Sequence, residues 1–515
     1  MKRKVTLSAL ALAGMLSAAP SMVKAQGGNT APTASKVVYD FQHFNDIKML
    51  QLFEKAVREG KRYPSKEELR AAGLADEIEF VRSHVRKRSI LPRKDRLIQS
   101  TFETRELFMN IPAGAGRTIG GYPSSDFASD NFSMWNYTNL FGAWNHGLFQ
   151  APGSWADAAH KNGTDMMSGI KFFDTTGNPG GVGAEGWLPI LKAKNTDGTF
   201  KYAKPMVYML QYLGLDGINY NWEASSYDDH QVIAFHQKLY EIAKEEKFDN
   251  FHIAIYTLNN SLTPYNVEAL FGKNNKKTAD VMLNYVSDDF TYSMPQSVAQ
   301  AKTAMGTADG VYAGVWIVTM NRAWSRVSAT PECGVCLWGE HAQSRFWSYN
   351  SGGDADEMMV NYQKLLERGF SGGNRNPLSR PAVKDRGHNW EESNGVQPLS
   401  TFPGMATWIP ERTTIKGDLP FSTHFNMGAG SQYHYKGKKT AGSWYNMSNQ
   451  DIVPTYRWLV VQSNSNTHSN KINPEVTYKD AYMGGSCLLL SGNGDANSTD
   501  LVLYSTDIAG SNGAI

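Results

Sequence analysis

Residues 214–223 read GLDGINYNWE, and within them Asn219, Asn221 and Glu223 fall at every second position, with Ile218, Tyr220 and Trp222 between. In an extended strand, alternate side chains point to opposite faces. The three polar groups therefore share one face and the three bulky groups the other. Burial under a neighbouring layer accounts for the bulky face, but not for two carboxamides and a carboxyl opposite it. A carboxyl closing a strand can give and take a proton at a reacting bond. Carboxamides can orient a substrate, since each both donates and accepts hydrogen bonds. Hydrolytic sites often pair two carboxylates, and this strand supplies one. A hydrogen-bonded polar layer with no chemistry is the plainer reading of the same pattern.

Comparable groups close the other apolar runs. FHIAIYTL carries Tyr256, ADVMLNYVS carries Asn284 and Tyr285, GVYAGVWIV carries Trp316, and GVCLWGE carries Trp338 and Glu340. Asn145 and His146 follow FSMWNYTNLFGAW, and Asp174 ends GTDMMSGIKFFD. Any one of them fits a core or rim position. Together they set aromatic rings around a carboxyl, a composition suited to sugars, whose faces stack on aromatic side chains.

The elements that must hold these groups alternate in type. Between the apolar runs lie amphipathic segments: SWADAAHKNG, YAKPMVYMLQYLG, DDHQVIAFHQKLYEIAKEE, PYNVEALFGK, SVAQAKTAMG and ADEMMVNYQKLLERG. In the third of these, Val232, Phe235, Leu239 and Ile242 form one helical stripe, and THFNMG is taken as an eighth strand. Seven or eight β-then-α units with near-continuous apolar strands predict a parallel sheet covered by helices. Their number predicts a (β/α)8 barrel over residues 121–430. In such a barrel the C-terminal strand ends form the active-site face, which is where the polar and aromatic groups fall. Neither GxGxxG after a first strand nor GxxxxGK[ST] occurs, so no nucleotide cofactor is expected.

The flanks differ. Lys2, Arg3 and Lys4 precede an apolar run ending Val23-Lys24-Ala25, which predicts a signal peptide over 1–25 and export to the periplasm or beyond. No other stretch approaches a membrane span. Residues 26–120 read as a polar segment and a charged helical extension, including a capping box at Ser65 and Glu68 and a basic HVRKR helix face. Residues 431–515 alternate short apolar runs with turns, as a β-sandwich module does, and that module reads as incomplete at Ile515. The formal net charge of +2 gives no reason to expect nucleic acid as partner. Cys333 and Cys336 form a CGVC pair inside an apolar strand and read as core cysteines. No second ligand pair for zinc accompanies them, so no metal is expected.

DGINYNWE is similar to the DGxDxDxE strand of family 18 chitinases, with Asn219 and Asn221 in place of both aspartates. It also resembles the Asn-x-Glu strand of glycoside hydrolase family 85, the endo-β-N-acetylglucosaminidases, and this second resemblance extends over roughly residues 120–495. MWNYTNLFGAWNHGLFQAPGSWADAAHKNGTDMMSGIKFF looks like that family's first two strands and the helix between. LNYVS, VYAGVWI and CLWGE look like later strands, and PFSTHFNMGAGSQYHYKGKK like its junction with a sandwich. The resemblance implies retaining cleavage between the two core GlcNAc residues of N-linked glycans. The substrate's own 2-acetamido oxygen would be the nucleophile, an exception to the two-carboxylate scheme. It further implies Glu223 as acid and base, Asn221 as holder of the acetamide, and Tyr256 as a hydrogen-bond partner to it. Asn284, Tyr285, Trp316 and Trp338 would line the sugars, with Glu340, His146 and Asn219 as further substrate contacts. Two departures stand out: IAIYTLNN replaces a Trp-Tyr-Asp type run, and Asn219 replaces an apolar residue. A chitinase-like hydrolase and a catalytically silent glycan-binding barrel are the alternatives.

Overall fold

The structure is a computed structural model. It describes residues 46–90, 102, 104–112, 127, 131–144, 149, 151–172, 184–222, 229–283, 291–316, 324–338, 354–384, 400–412, 415–416, 422–452, 459–492, 498–504 and 506–507. Eight strands close into a barrel: β1 Leu107–Pro112, β2 Leu140–Trp144, β3 Asp165–Phe172, β4 Gly217–Trp222, β5 His252–Thr257, β6 Asp280–Leu283, β7 Val311–Trp316 and β8 Gly334–Trp338. Each pairs in parallel with its chain neighbours, and β8 returns to β1 with Val335 opposite Leu107. Among the described residues three helices precede the barrel, α1 Asp46–Arg58, α2 Lys66–Ala71 and α3 Ala75–Val81. The described residues that alternate with or follow its strands hold α4 Gly153–Lys161, α5 Ala184–Lys192, α6 Ala203–Leu213, α7 His230–Glu245, α8 Val267–Leu270, α9 Ser293–Met305 and α10 Ala355–Ser371. This is the (β/α)8 architecture expected.

Three local expectations are corrected. The barrel opens with β1, inside the stretch 26–120 read as polar segment and helical extension. LFMNIP is a short apolar run whose periodicity fits helix and strand alike, and only its pairing with both β2 and β8 decides. THFNMG is not a barrel strand: residues 423–428 carry neither helix nor strand. The HVRKR segment is not a helix face either, because α3 ends at Val81 and residues 82–90 run on without helical bonds. Their backbone pairs with the barrel's helices instead, Ser83 N–H donating to Leu213 O at 2.7 Å and Arg88 N–H to His160 O at 2.9 Å.

The N-terminal helices are docked by chemistry their sequence shows. Ser65 and Glu68 form the reciprocal capping box of α2. Met49, Leu50 and Phe53 bury one stripe of α1, with the Phe53 ring edge-on to Tyr212 of α6 at 5.6 Å. Arg62 donates to Glu246 Oε2 and to Gln211 Oε1, each at 2.7 Å, and its guanidinium lies 4.4 Å from the Tyr208 ring.

At the N-terminal end of the barrel the strands open on charged residues. His252 Nδ1 lies 2.7 Å from Asp280 Oδ2, and His252 Nε2 lies 3.6 Å from Asp165 Oδ2. Lys87 pairs with Asp165, and Lys277 with Asp280 at 2.9 Å. Asn250 donates to Asp165 and Asp216, and the latter meets His160 Nε2 at 2.7 Å. Burial alone would lower the His252 pKa, but the two carboxylates override it and raise it to about 10.

Beyond the barrel the chain forms small sheets, among them the antiparallel pair Ile472–Thr477 with Cys487–Gly492. This part is tied to the barrel: Trp135 Nε1 donates to Gln450 Oε1 at 2.6 Å, and Ser448 Oγ to Asp157 Oδ2 at 2.7 Å.

Candidate active site

The site is built on β4. Gly214 ends α6 in the left-handed conformation, φ +70°, which a residue with a side chain adopts only under strain. Gly217 then lets β4 approach β5: a Cβ there would lie 2.1 Å from His252 O. Along β4 the two faces divide as the alternation predicts. Ile218, Tyr220 and Trp222 join the core between barrel and helices. Tyr220 stacks on His236 of α7 at 5.5 Å and meets Trp222 edge-on at 5.8 Å. Asp229 caps α7, accepting from Gln231 N–H and Val232 N–H, and pairs with Lys192 of α5. The strand before residue 223 and the helix after residue 228 are thus both fastened.

Asn219 and Asn221 face the barrel interior and are buried. Register sets Asn219 beside Ala254, Asn221 beside Tyr256, and Tyr256 beside Met282. Ala254, Tyr256 and Met282 belong to the interior cluster, with Phe108, Leu140, Met167, Tyr312 and Cys336. Asn221 and Tyr256 therefore form a polar pair across β4 and β5 at the C-terminal end of an otherwise largely apolar interior. A carboxamide and a phenol held in this way can bind and orient a polar group lowered into the barrel mouth.

Three residues not anticipated from sequence lie with Asn219. Asn219 Nδ2 approaches Asn110 Oδ1 of β1 at 3.5 Å, and its backbone N–H donates to Ser168 Oγ at 3.0 Å. Gly142 of β2 makes the room, since a Cβ there would lie 2.5 Å from Asn219 Nδ2 and 3.0 Å from Asn110 Oδ1. The signal for Asn110 was available in LFMNIP, had that run been read as a strand.

Of the remaining sequence candidates, Trp316 and Trp338 end β7 and β8 side by side in register. Glu223, His146, Asn284, Tyr285 and Glu340 lie outside the described residues. Leu258 and Tyr265, after β5, and Tyr292, at the start of α9, are exposed, and sequence reasoning had not singled them out. Cys333 and Cys336 are buried free thiols; burial pushes Cys333 up to about 11 and Cys336 higher still, so neither is a ready nucleophile. Among the described residues no cluster of three or more His, Cys, Asp or Glu could hold a metal ion, and no helix is long and apolar enough to cross a membrane.

Fold and site define a barrel enzyme of the kind whose chemistry sits at the C-terminal strand ends. A family model, Glycosyl hydrolase family 85, matches residues 117–433, and the chain belongs to that family. Among solved structures it is similar to the Spr0440 glycoside hydrolase domain, Endo-D, from Streptococcus pneumoniae R6. Identity is 20%, the TM-score is 0.64, and the match covers 84% of this chain but 66% of that one. A putative alpha amylase from Salmonella typhimurium matches at 10% identity and a TM-score of 0.26, over 50% of this chain and 62% of that one. No curated protein sequence matches.

Proposed function

We propose that this chain is an endo-β-N-acetylglucosaminidase that hydrolyses the GlcNAc-β-1,4-GlcNAc bond of the N-glycan core with retention. The observation that carries the reading is the Asn221–Tyr256 pair, in register on the interior face, two residues before Glu223. Family membership supports the reaction class. In this mechanism Asn221 accepts from the acetamide N–H of the sugar at the cleaved bond and aims its carbonyl oxygen at the anomeric carbon. Tyr256 donates to the acetamide or to the oxazolinium it becomes. Glu223 protonates the departing glycosidic oxygen, then takes a proton from the incoming water. One enzymic carboxyl suffices because the substrate brings the nucleophile. Holding that nucleophile in line supplies much of the rate, as in other well-oriented intramolecular reactions. No metal or cofactor enters this scheme. An N-glycan substrate also accords with export by the signal at residues 1–25.

The test is release of glycan from a high-mannose glycoprotein, read by mass spectrometry as a single GlcNAc left on Asn. Glu223→Gln should abolish release, and Asn221→Ala should lose hydrolysis yet keep partial activity on a preformed oxazoline donor. Full release by Glu223→Gln defeats the catalytic assignment. Turnover of chitin oligomers in preference to glycopeptide would instead support a chitinase.

A further inference from the structure

We propose that Asn219 is a positioning residue: with Asn110 it forms a carboxamide floor one layer beneath Asn221 and fixes which way the Asn221 amide faces. The inference rests on the role given to Asn221 above. Asn219 is fully buried, and its carbonyl oxygen has no hydrogen-bond partner among the described residues. Its amide nitrogen approaches Asn110 Oδ1, while Asn110 Nδ2 lies 3.6 Å from the Met282 sulfur. An apolar side chain would fill this space without burying an unsatisfied carbonyl. The carboxamide is therefore a cost to the barrel unless the next layer uses it.

That layer is Asn221, on the same strand and the same face, about 6.6–6.8 Å further along. A side-chain carboxamide has nearly the same shape in its two flipped orientations, so packing alone does not choose between them. An acceptor beneath it does choose. When Asn221 Nδ2 donates downward through one bridging water to Asn219 Oδ1, Asn221 Oδ1 is left facing the barrel mouth. That oxygen is the atom needed to accept the acetamide N–H. Gly142 is part of the device, since a methyl group there would press on Asn219 Nδ2.

The experiment compares kcat and KM of full-length Asn219→Leu, Asn219→Asp, Gly142→Ala and Asn221→Ala on a high-mannose glycopeptide and on a preformed oxazoline donor. In Asn219→Leu we expect kcat to fall about tenfold, the effect of one lost orienting hydrogen bond, with KM little changed. The oxazoline reaction should suffer less, because its ring is already closed. Asn219→Asp should recover most of kcat: buried and protonated, its carboxyl offers the same donor and acceptor as the carboxamide. Gly142→Ala should reproduce the loss by displacing the floor. Wild-type kcat in folded Asn219→Leu, a rise in KM alone, or equal losses in the Leu and Asp variants would each overturn the inference. Should Asn219→Leu not fold, Gly142→Ala decides, and wild-type kcat there is equally fatal. Undiminished hydrolysis by Asn221→Ala would instead defeat the reading on which the floor rests.

Discussion

At the scale of the residue, Tyr256 is the group whose contribution can be isolated most cleanly. It is buried beside Asn221, and replacing it with Phe removes one oxygen and keeps the ring's packing in the interior cluster. A hydrogen bond to a group carrying charge is worth about 1.5–3 kcal/mol, so Tyr256→Phe should lower kcat about 10- to 100-fold. Thermal stability should change little. Steady-state kinetics on a glycopeptide checks this, and an unchanged kcat would remove Tyr256 from the mechanism. The inner positions of β4 and β5 were legible because period-two alternation is a local property of the chain. The partners of Asn219 were not. Asn110, Gly142 and Ser168 reach it from other strands, and no local pattern reports which strands the barrel will bring together.

At the scale of the element, β4 is held from behind by α7, and His236 is the unusual member of that contact. It is buried and stacked on Tyr220, and its Nε2 has no partner among the described residues. Burial lowers its pKa to about 3, so it is neutral in the folded protein. In the unfolded chain it protonates near pH 6.5. Between those values the unfolded state binds the extra proton, so this group's contribution to stability is complete above about pH 6.5 and is lost as pH falls. His236→Phe keeps a ring against Tyr220 and removes the titrating nitrogen. The variant should match wild type to within about 1 kcal/mol at pH 8 and gain on it progressively toward pH 4.5. Urea denaturation at the two pH values checks this, and a pH-independent difference would contradict it. The helix itself was legible from its apolar stripe, whereas its Asp229 cap emerged only with the structure. β1 was not, since its six residues carry no periodicity that separates strand from helix.

At the scale of the whole molecule, the two ends of the barrel do different work. The C-terminal end carries the site. The N-terminal end joins β3, β5 and β6 to the extension's trailing segment through Lys87, Asp165, His252, Asp280 and Lys277. This network escaped the sequence reading because polar residues were sought where strands end, whereas these stand where strands begin. Its pH dependence runs opposite to that of His236. His252 is raised to about 10 by its carboxylate neighbours, so its stabilisation is complete below about pH 6.5 and disappears as pH climbs through 10. Burial opposes the charge on Asp165 and Asp280, but His252 and the two lysines hold both below the usual carboxylate range. Their share is present above about pH 4 and lost in acid. The interval from about pH 4 to 6.5 is therefore where all three groups contribute in full. His252→Gln leaves two buried carboxylates without their shared cation, a change that costs about 3–5 kcal/mol. The gap in unfolding free energy between wild type and this variant should be widest near pH 6 and close toward pH 10, as wild-type His252 loses its own charge. Denaturation curves at pH 6, 8 and 9.5 measure it, and a gap that widens with pH would reverse the assignment of His252 as the cation of the barrel floor.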